Sequence, residues 1–73
     1  MEQISFEQMV KERFNNLTSG QKKVAEYLIQ QLEEAAFSKE VQIGLKTEAT
    51  EATVIRFSNA LGFKGFTHMQ EQI

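Results

Sequence analysis

Between Thr50 and Asn59 the chain sets out two hydroxyls, a carboxylate, a guanidinium and a carboxamide, at Thr50, Glu51, Thr53, Arg56 and Asn59. Wound as an α-helix, this stretch turns Glu51, Ala52, Thr53, Arg56 and Asn59 to one side, all small or polar. Such a face has the donors and acceptors to read base edges. Arg56 can fork onto guanine O6 and N7 or clamp a phosphate. Thr50 and Thr53 offer hydroxyls to phosphate or base, and small groups near the helix start allow entry into a groove. Glu51 can accept from cytosine N4, or simply favour the positive end of the helix dipole. Arg56 has a plainer alternative too, a surface ion pair with a nearby glutamate. Further on, Lys64 and the backbone N–H groups near Gly65 and Phe66 open a last helix, a favourable place for a phosphate.

Other chemistry lacks its parts. There is no Cys and no Asp, and His68 is the only histidine, with no second ligand near it in sequence. No metal or cofactor site is therefore expected. No serine stands in a nucleophile-like glycine-rich turn, and Gly62-Phe63-Lys64-Gly65 is too short and misplaced to cradle a phosphate as a P-loop does. An enzyme is not expected. With no cysteine, no apolar run of membrane-spanning length and no basic signal-peptide start, the chain suits a reducing cytoplasm and no membrane.

A face of this kind must be held by helices. Every acidic residue is Glu, Pro is absent and no strand pattern occurs, so the 73 residues form one all-α domain of about five helices. Helix one opens at Ser5, with Gln8 completing a capping box and Ile4 and Met9 placed as a hydrophobic staple. Phe6, Met9, Val10, Phe14 and Leu17 line its inner face, and Asn15-Asn16 ends it. Thr18 and Gln21 repeat the box for helix two, which buries Val24, Ala25, Leu28, Ile29 and Leu32. Lys22 and Lys23 in its first turn are either solvated or turned to a phosphate backbone. Glu33 to Phe37 is a frayed end or a connector, with Phe37 buried.

Helix three runs from Ser38 to about Thr47, with Val41, Gly44 and Leu45 inward and Ile43 ambiguous. Glycine inside a helix costs up to about 1 kcal/mol relative to Ala, so close approach of the next helix is expected at Gly44. Helix four starts at the N-cap Thr50 and buries Val54, Phe57 and Leu61. Gly62 takes the left-handed conformation, and Phe63 folds back toward Phe57. The last helix carries Phe66, Met69 and Ile73 on one side, with Thr67 and Gln70 at capping-box spacing or a start at Gly65. Helix three, a tight turn and helix four make a helix-turn-helix. Its turn usually holds Gly; here Glu48 stands there, at a strain of about 1 kcal/mol if its φ is positive.

A net charge of −2 argues mildly against a nucleic-acid partner, because affinity for DNA rests largely on phosphate neutralisation. The excess is local. Residues 1–40 hold five basic and seven acidic side chains, whereas residues 41–73 hold three of each. The charge available to DNA is still thin, and good affinity calls for a dimer.

The runs Leu17 to Ile29, Thr50 to Phe57 and Leu61 to Phe66 resemble the N-terminal domain of RpiR-type bacterial transcriptional regulators. The similarity spans about residues 17–73, with Thr53 to Phe66 its most specific part. The resemblance implies operator recognition on double-stranded DNA and control of sugar or amino-sugar catabolism. It also implies a C-terminal sugar-isomerase-type (SIS) domain that senses a phosphosugar, and a homo-oligomer in the full-length protein. That second domain is not in these 73 residues, and a last helix without a stop signal suggests a domain cut from a longer protein. Three positions depart from the family pattern: Thr50 where Ser is frequent, Glu48 where Gly is, and Glu40 where an apolar residue is. The rival expectation is a helical protein-interaction module using the same exposed face.

Overall fold

The computed structural model describes residues 5–73, which form six α-helices, one 3₁₀ turn and no strand. They are α1 (Phe6–Arg13), a 3₁₀ turn (Phe14–Asn16), α2 (Ser19–Gln30), α3 (Leu32–Ala35), α4 (Glu40–Thr47), α5 (Glu51–Ala60) and α6 (Phe66–Gln70). The all-helical class and the five expected helices are present; α3 is the addition.

The expected caps hold the first helices. Ser5 Oγ accepts from the Gln8 N–H at 3.1 Å; Ile4, its expected staple partner, lies outside the described residues. At α2 both halves of the box form, Gln21 N–H to Thr18 Oγ1 at 3.2 Å and Thr18 N–H to Gln21 Oε1 at 3.0 Å. Two orphan donors of that helix start are thereby satisfied. Helix α2 stops two residues earlier than its apolar pattern implied. Gln31 leaves the helical region (φ −128°, ψ 50°), and Leu32 falls in the one-turn helix α3, half-buried rather than on the α2 face.

One core unites the helices. Phe6 and Val10 of α1, Val24, Ala25 and Leu28 of α2, Ile43 of α4 and Val54 and Phe57 of α5 are buried in it. Leu17, Ala35, Leu61, Phe63, Phe66 and Met69 complete it. Helices α2, α4 and α5 pack mutually, and α6 lies against α5. Burying one Leu or Phe is worth about 1.5–3 kcal/mol, so a cluster of this size is what a chain of this length needs to fold without disulfides.

The crossing of α4 and α5 turns on Gly44. A Cβ built there would lie 3.0 Å from the Ala49 carbonyl oxygen and 3.2 Å from the Thr50 carbonyl carbon. Those are backbone atoms of the very turn that joins the two helices, so no side chain can swing aside. The glycine expected to mark a close approach marks it.

Both helices that meet here end in the same way. At α5, Gly62 (φ 97°) lets its N–H reach the Asn59 carbonyl at 2.9 Å and the Phe63 N–H reach the Ser58 carbonyl at 3.1 Å. At α4, Glu48 takes the left-handed conformation (φ 58°, ψ 30°) and the Ala49 N–H reaches the Gly44 carbonyl at 2.8 Å. These are Schellman endings, which satisfy the last carbonyls of a helix and reverse the chain. The second is built on a glutamate, so the turn keeps its geometry at the expected steric cost.

Three expectations are corrected. Helix α4 begins at Glu40, not Ser38; the Ser38 hydroxyl donates instead to the Glu34 carbonyl at 2.8 Å. Its buried face is Ile43, Gly44 and Thr47, while Val41 is 50% and Leu45 76% exposed. The phase of the helix is set by Gly44 against the turn; Thr47, buried on the same face, satisfies its hydroxyl within the helix by donating to the Ile43 carbonyl at 2.8 Å. Phe37 is 88% exposed, because the buried residue of the α3 turn is Ala35. Of the two starts expected for the last helix, the one at Gly65 is taken: Gly65 is the N-cap of α6 and Thr67 lies inside it, while the Gln70 amide donates to the Ala35 carbonyl at 3.1 Å, fastening α6 to α3.

Two substitutions test the turn. Gly44→Ala is expected to lower stability by about 1–3 kcal/mol despite the better helix propensity of Ala, because backbone must move. Glu48→Gly is expected to raise it by about 1 kcal/mol, a melting shift of about 4–8 °C for a domain this size. Thermal denaturation followed by circular dichroism measures both, and a stabilised Gly44→Ala would refute the packing argument.

Candidate nucleic-acid interface

Helix α5 has two sides of opposite character. Val54, Phe57, Ser58 and Leu61 are buried; Ala52, Arg56 and Asn59, at i, i+4 and i+7, are exposed along the opposite stripe. Glu51 and the half-buried Ile55 form one shoulder of that stripe, the half-buried Thr53 the other. Arg56 stands in the middle. Among the described residues the ion pairs join Lys11 to Glu7 and Lys46 to Glu34, so Arg56 has no carboxylate partner.

The helix start is organised by its two threonines. Thr50 Oγ1 accepts from the Thr53 N–H at 3.1 Å and lies 3.0 Å from Thr53 Oγ1. Each hydroxyl has one donor, and one of the two is used between them. A single O–H donor is left for a ligand rather than two. Thr50 is therefore first a cap and only second a contact group. Glu51 lies in the first turn, where a carboxylate favours the dipole.

Lys64 and Gly65 lie past the Schellman ending, on another element. The Lys64 side chain is exposed, but its backbone N–H donates to His68 Nδ1 at 3.1 Å and is not free for an anion. His68 also sets its ring against Phe63 edge to face, with centroids 5.2 Å apart. Gly65 caps α6 in extended backbone (φ −178°).

Two residues that position this face were missed in the sequence. Ser58 is fully buried, its hydroxyl donating to the Val54 carbonyl at 3.2 Å and lying 3.5 Å from the Met69 sulfur. Its place four residues after Val54 was the available signal. Gly20 of α2 brings its backbone against Thr53: a Cβ there would sit 3.4 Å from the Thr53 methyl. No local pattern announces a contact between residues so far apart in sequence.

Known proteins agree with this geometry. A family model described as the helix-turn-helix domain of the rpiR family matches residues 4–73. The chain belongs to the rpiR helix-turn-helix family. It is also similar to the uncharacterized HTH-type transcriptional regulator YfhH of Escherichia coli strain K12, 30% identical over 57 residues. That match covers 78% of this chain and 20% of YfhH, so the chain spans about a fifth of the relative's length. Among solved structures it resembles the N-terminal domain of ybbH from Bacillus subtilis, assigned as a transcriptional regulator. The TM-score is 0.85 at 24% identity, over 90% of this chain and 80% of that one, a likeness of fold. The rpiR family is one of helix-turn-helix domains rather than of enzymes. Among the described residues there is no cluster of three metal-ligating side chains, and no helix is long and apolar enough to cross a membrane.

The double duty of Thr50 can be measured. Thr50→Ala is expected to cost about 1 kcal/mol of stability through the lost cap, while Thr50→Ser keeps the oxygen and stays near the parent. Equal melting temperatures for all three proteins would show that the cap carries nothing.

Proposed function

We propose that this domain binds double-stranded DNA sequence-specifically, with α5 lying in the major groove. The observation that carries the reading is the exposed stripe Ala52, Arg56 and Asn59, whose guanidinium has no partner among the described residues. A small residue near the helix start lets the backbone approach the base pairs, and the arginine two turns in reaches guanine O6 and N7. Asn59 and the free hydroxyl of the Thr50–Thr53 pair add donors to base or phosphate; Glu51 serves the helix start and can accept from cytosine N4. Lys64 supplies a side-chain charge to the phosphate backbone beside Gly65. A protein-interaction role for the same face is less well supported, since no large apolar side chain lies fully exposed along it.

In this reading the domain is the N-terminal part of a longer cytoplasmic bacterial regulator of sugar or amino-sugar catabolism. Family membership and the length of YfhH support it. A C-terminal SIS domain would bind the phosphosugar effector and join two or more subunits. Dimerisation would make good the thin positive charge of a single domain, since each added phosphate contact multiplies affinity at low salt.

Selection of duplexes from a randomised pool, followed by titration at several salt concentrations, tests the proposal. Binding should weaken steeply as salt rises. Arg56→Ala is expected to cost about 1–3 kcal/mol at one base position and to relax specificity there. A loss equal for every sequence would move Arg56 to the phosphate backbone. Failure to retain any duplex would reject DNA binding itself.

A further inference from the structure

We infer that Lys23 of α2 is a second DNA-contacting cation, clamping a backbone phosphate beside the start of α5, whereas its neighbour Lys22 is not. The inference deepens the proposed function and rests on it. Two adjacent lysines in one helix turn point about 100° apart, so they cannot share a role by proximity alone.

Their surroundings differ. The Lys22 ammonium lies 5.3 Å from the centre of the Phe14 ring, on the flank of α2 that meets the 3₁₀ turn. The aromatic face holds it there, away from α5. Lys23 belongs to another stripe. Gly20, Lys23 and Tyr27 fall at i, i+3 and i+7 on one flank of α2. The first of the three meets Thr53 at the start of α5, as the 3.4 Å separation shows. The last meets the end of α4, with the Lys46 ammonium 6.0 Å from the Tyr27 ring centre. Lys23 is thus bracketed by the two ends of the helix-turn-helix connection, next to the turn that begins the exposed helix.

It is also uncommitted. Lys46, the other lysine of this flank, pairs with Glu34, and that pairing draws the Glu34 carboxyl below its ordinary range. Lys23 is exposed and pairs with no carboxylate among the described residues. Glu26 one turn on, and Glu48 and Glu51 across the turn, are the acidic groups its position would allow. None of them forms an ion pair with it. A long flexible cation so placed, with the groove-facing helix beside it, fits a phosphate flanking the base pairs that α5 reads.

Salt titration separates the two lysines. With a duplex selected by the parent 73-residue chain, each phosphate contact contributes about 0.9 to the slope of log affinity against log salt. Lys23→Gln is expected to lower that slope by about one contact's worth. Its affinity deficit should therefore shrink roughly 3.5-fold between 50 and 200 mM salt. The loss should be alike on selected and scrambled duplexes, and the melting temperature should be unchanged because the side chain is exposed. Lys22→Gln should leave the slope as it was. An unchanged slope for Lys23→Gln, or an equal fall for both variants, would overturn the assignment while DNA binding stands. Absence of any binding by the parent chain would instead remove the proposed function, and this contact with it.

Discussion

The geometry of this domain depends on one contact between backbones, the bare Cα of Gly44 against the chain from Ala49 to Glu51. Everything that presents α5 follows from it. Because nothing larger than hydrogen fits, α4 and the turn approach closely enough for Ala49 to bond back to the Gly44 carbonyl and for α5 to leave at a fixed angle. That angle drives Val54, Phe57 and Leu61 into the core, and it leaves Ala52, Arg56 and Asn59 outside. A helix held along its whole inner side gives its outer side a rigid frame, which is what a side chain reading a base pair requires.

The sequence carries clear signals where the physics is local. Capping depends on residues three apart, so Ser5, Thr18 and Thr50 announced three helix starts, and the structure forms each bond. Gly62 announced the end of α5 because few other residues tolerate positive φ. The inner face of α5 was legible since apolar and polar residues alternate there with helical period and no competing arrangement exists.

Where two apolar faces compete, period alone does not decide. Helix α4 offers Val41 and Leu45 on one side and Ile43 on another, and the choice falls to Gly44, whose contact is with the turn leading into the next helix. Phe37 shows the same limit: hydrophobicity argues for burial, yet the one-turn helix before it gives the inner position to Ala35. Of its two expected starts, α6 takes Gly65 over Thr67 for a related reason. Thr67 and Gln70 have the right spacing for a cap, but Gln70 is used across the molecule on the carbonyls of Ala35, at the end of α3, and of Ser38. At the interface, residue identities on α5 could be read directly. The sharing of one proton between Thr50 and Thr53, the use of the Lys64 N–H by His68 and the meeting of Gly20 with Thr53 are tertiary facts.

The hydroxyl of Ser58 and the thioether of Met69 meet in the seam between α5 and α6, with both side chains out of reach of solvent. A peroxide can attack that sulfur only during the moments when α6 lifts away, whereas Met9 on the first helix is partly open at all times. The pace at which Met69 gains its oxygen is thus a clock for the breathing of the C-terminal helix. Once oxidised, the sulfur carries a dipole that the seam was not shaped to hold, and the last helix would no longer close over it.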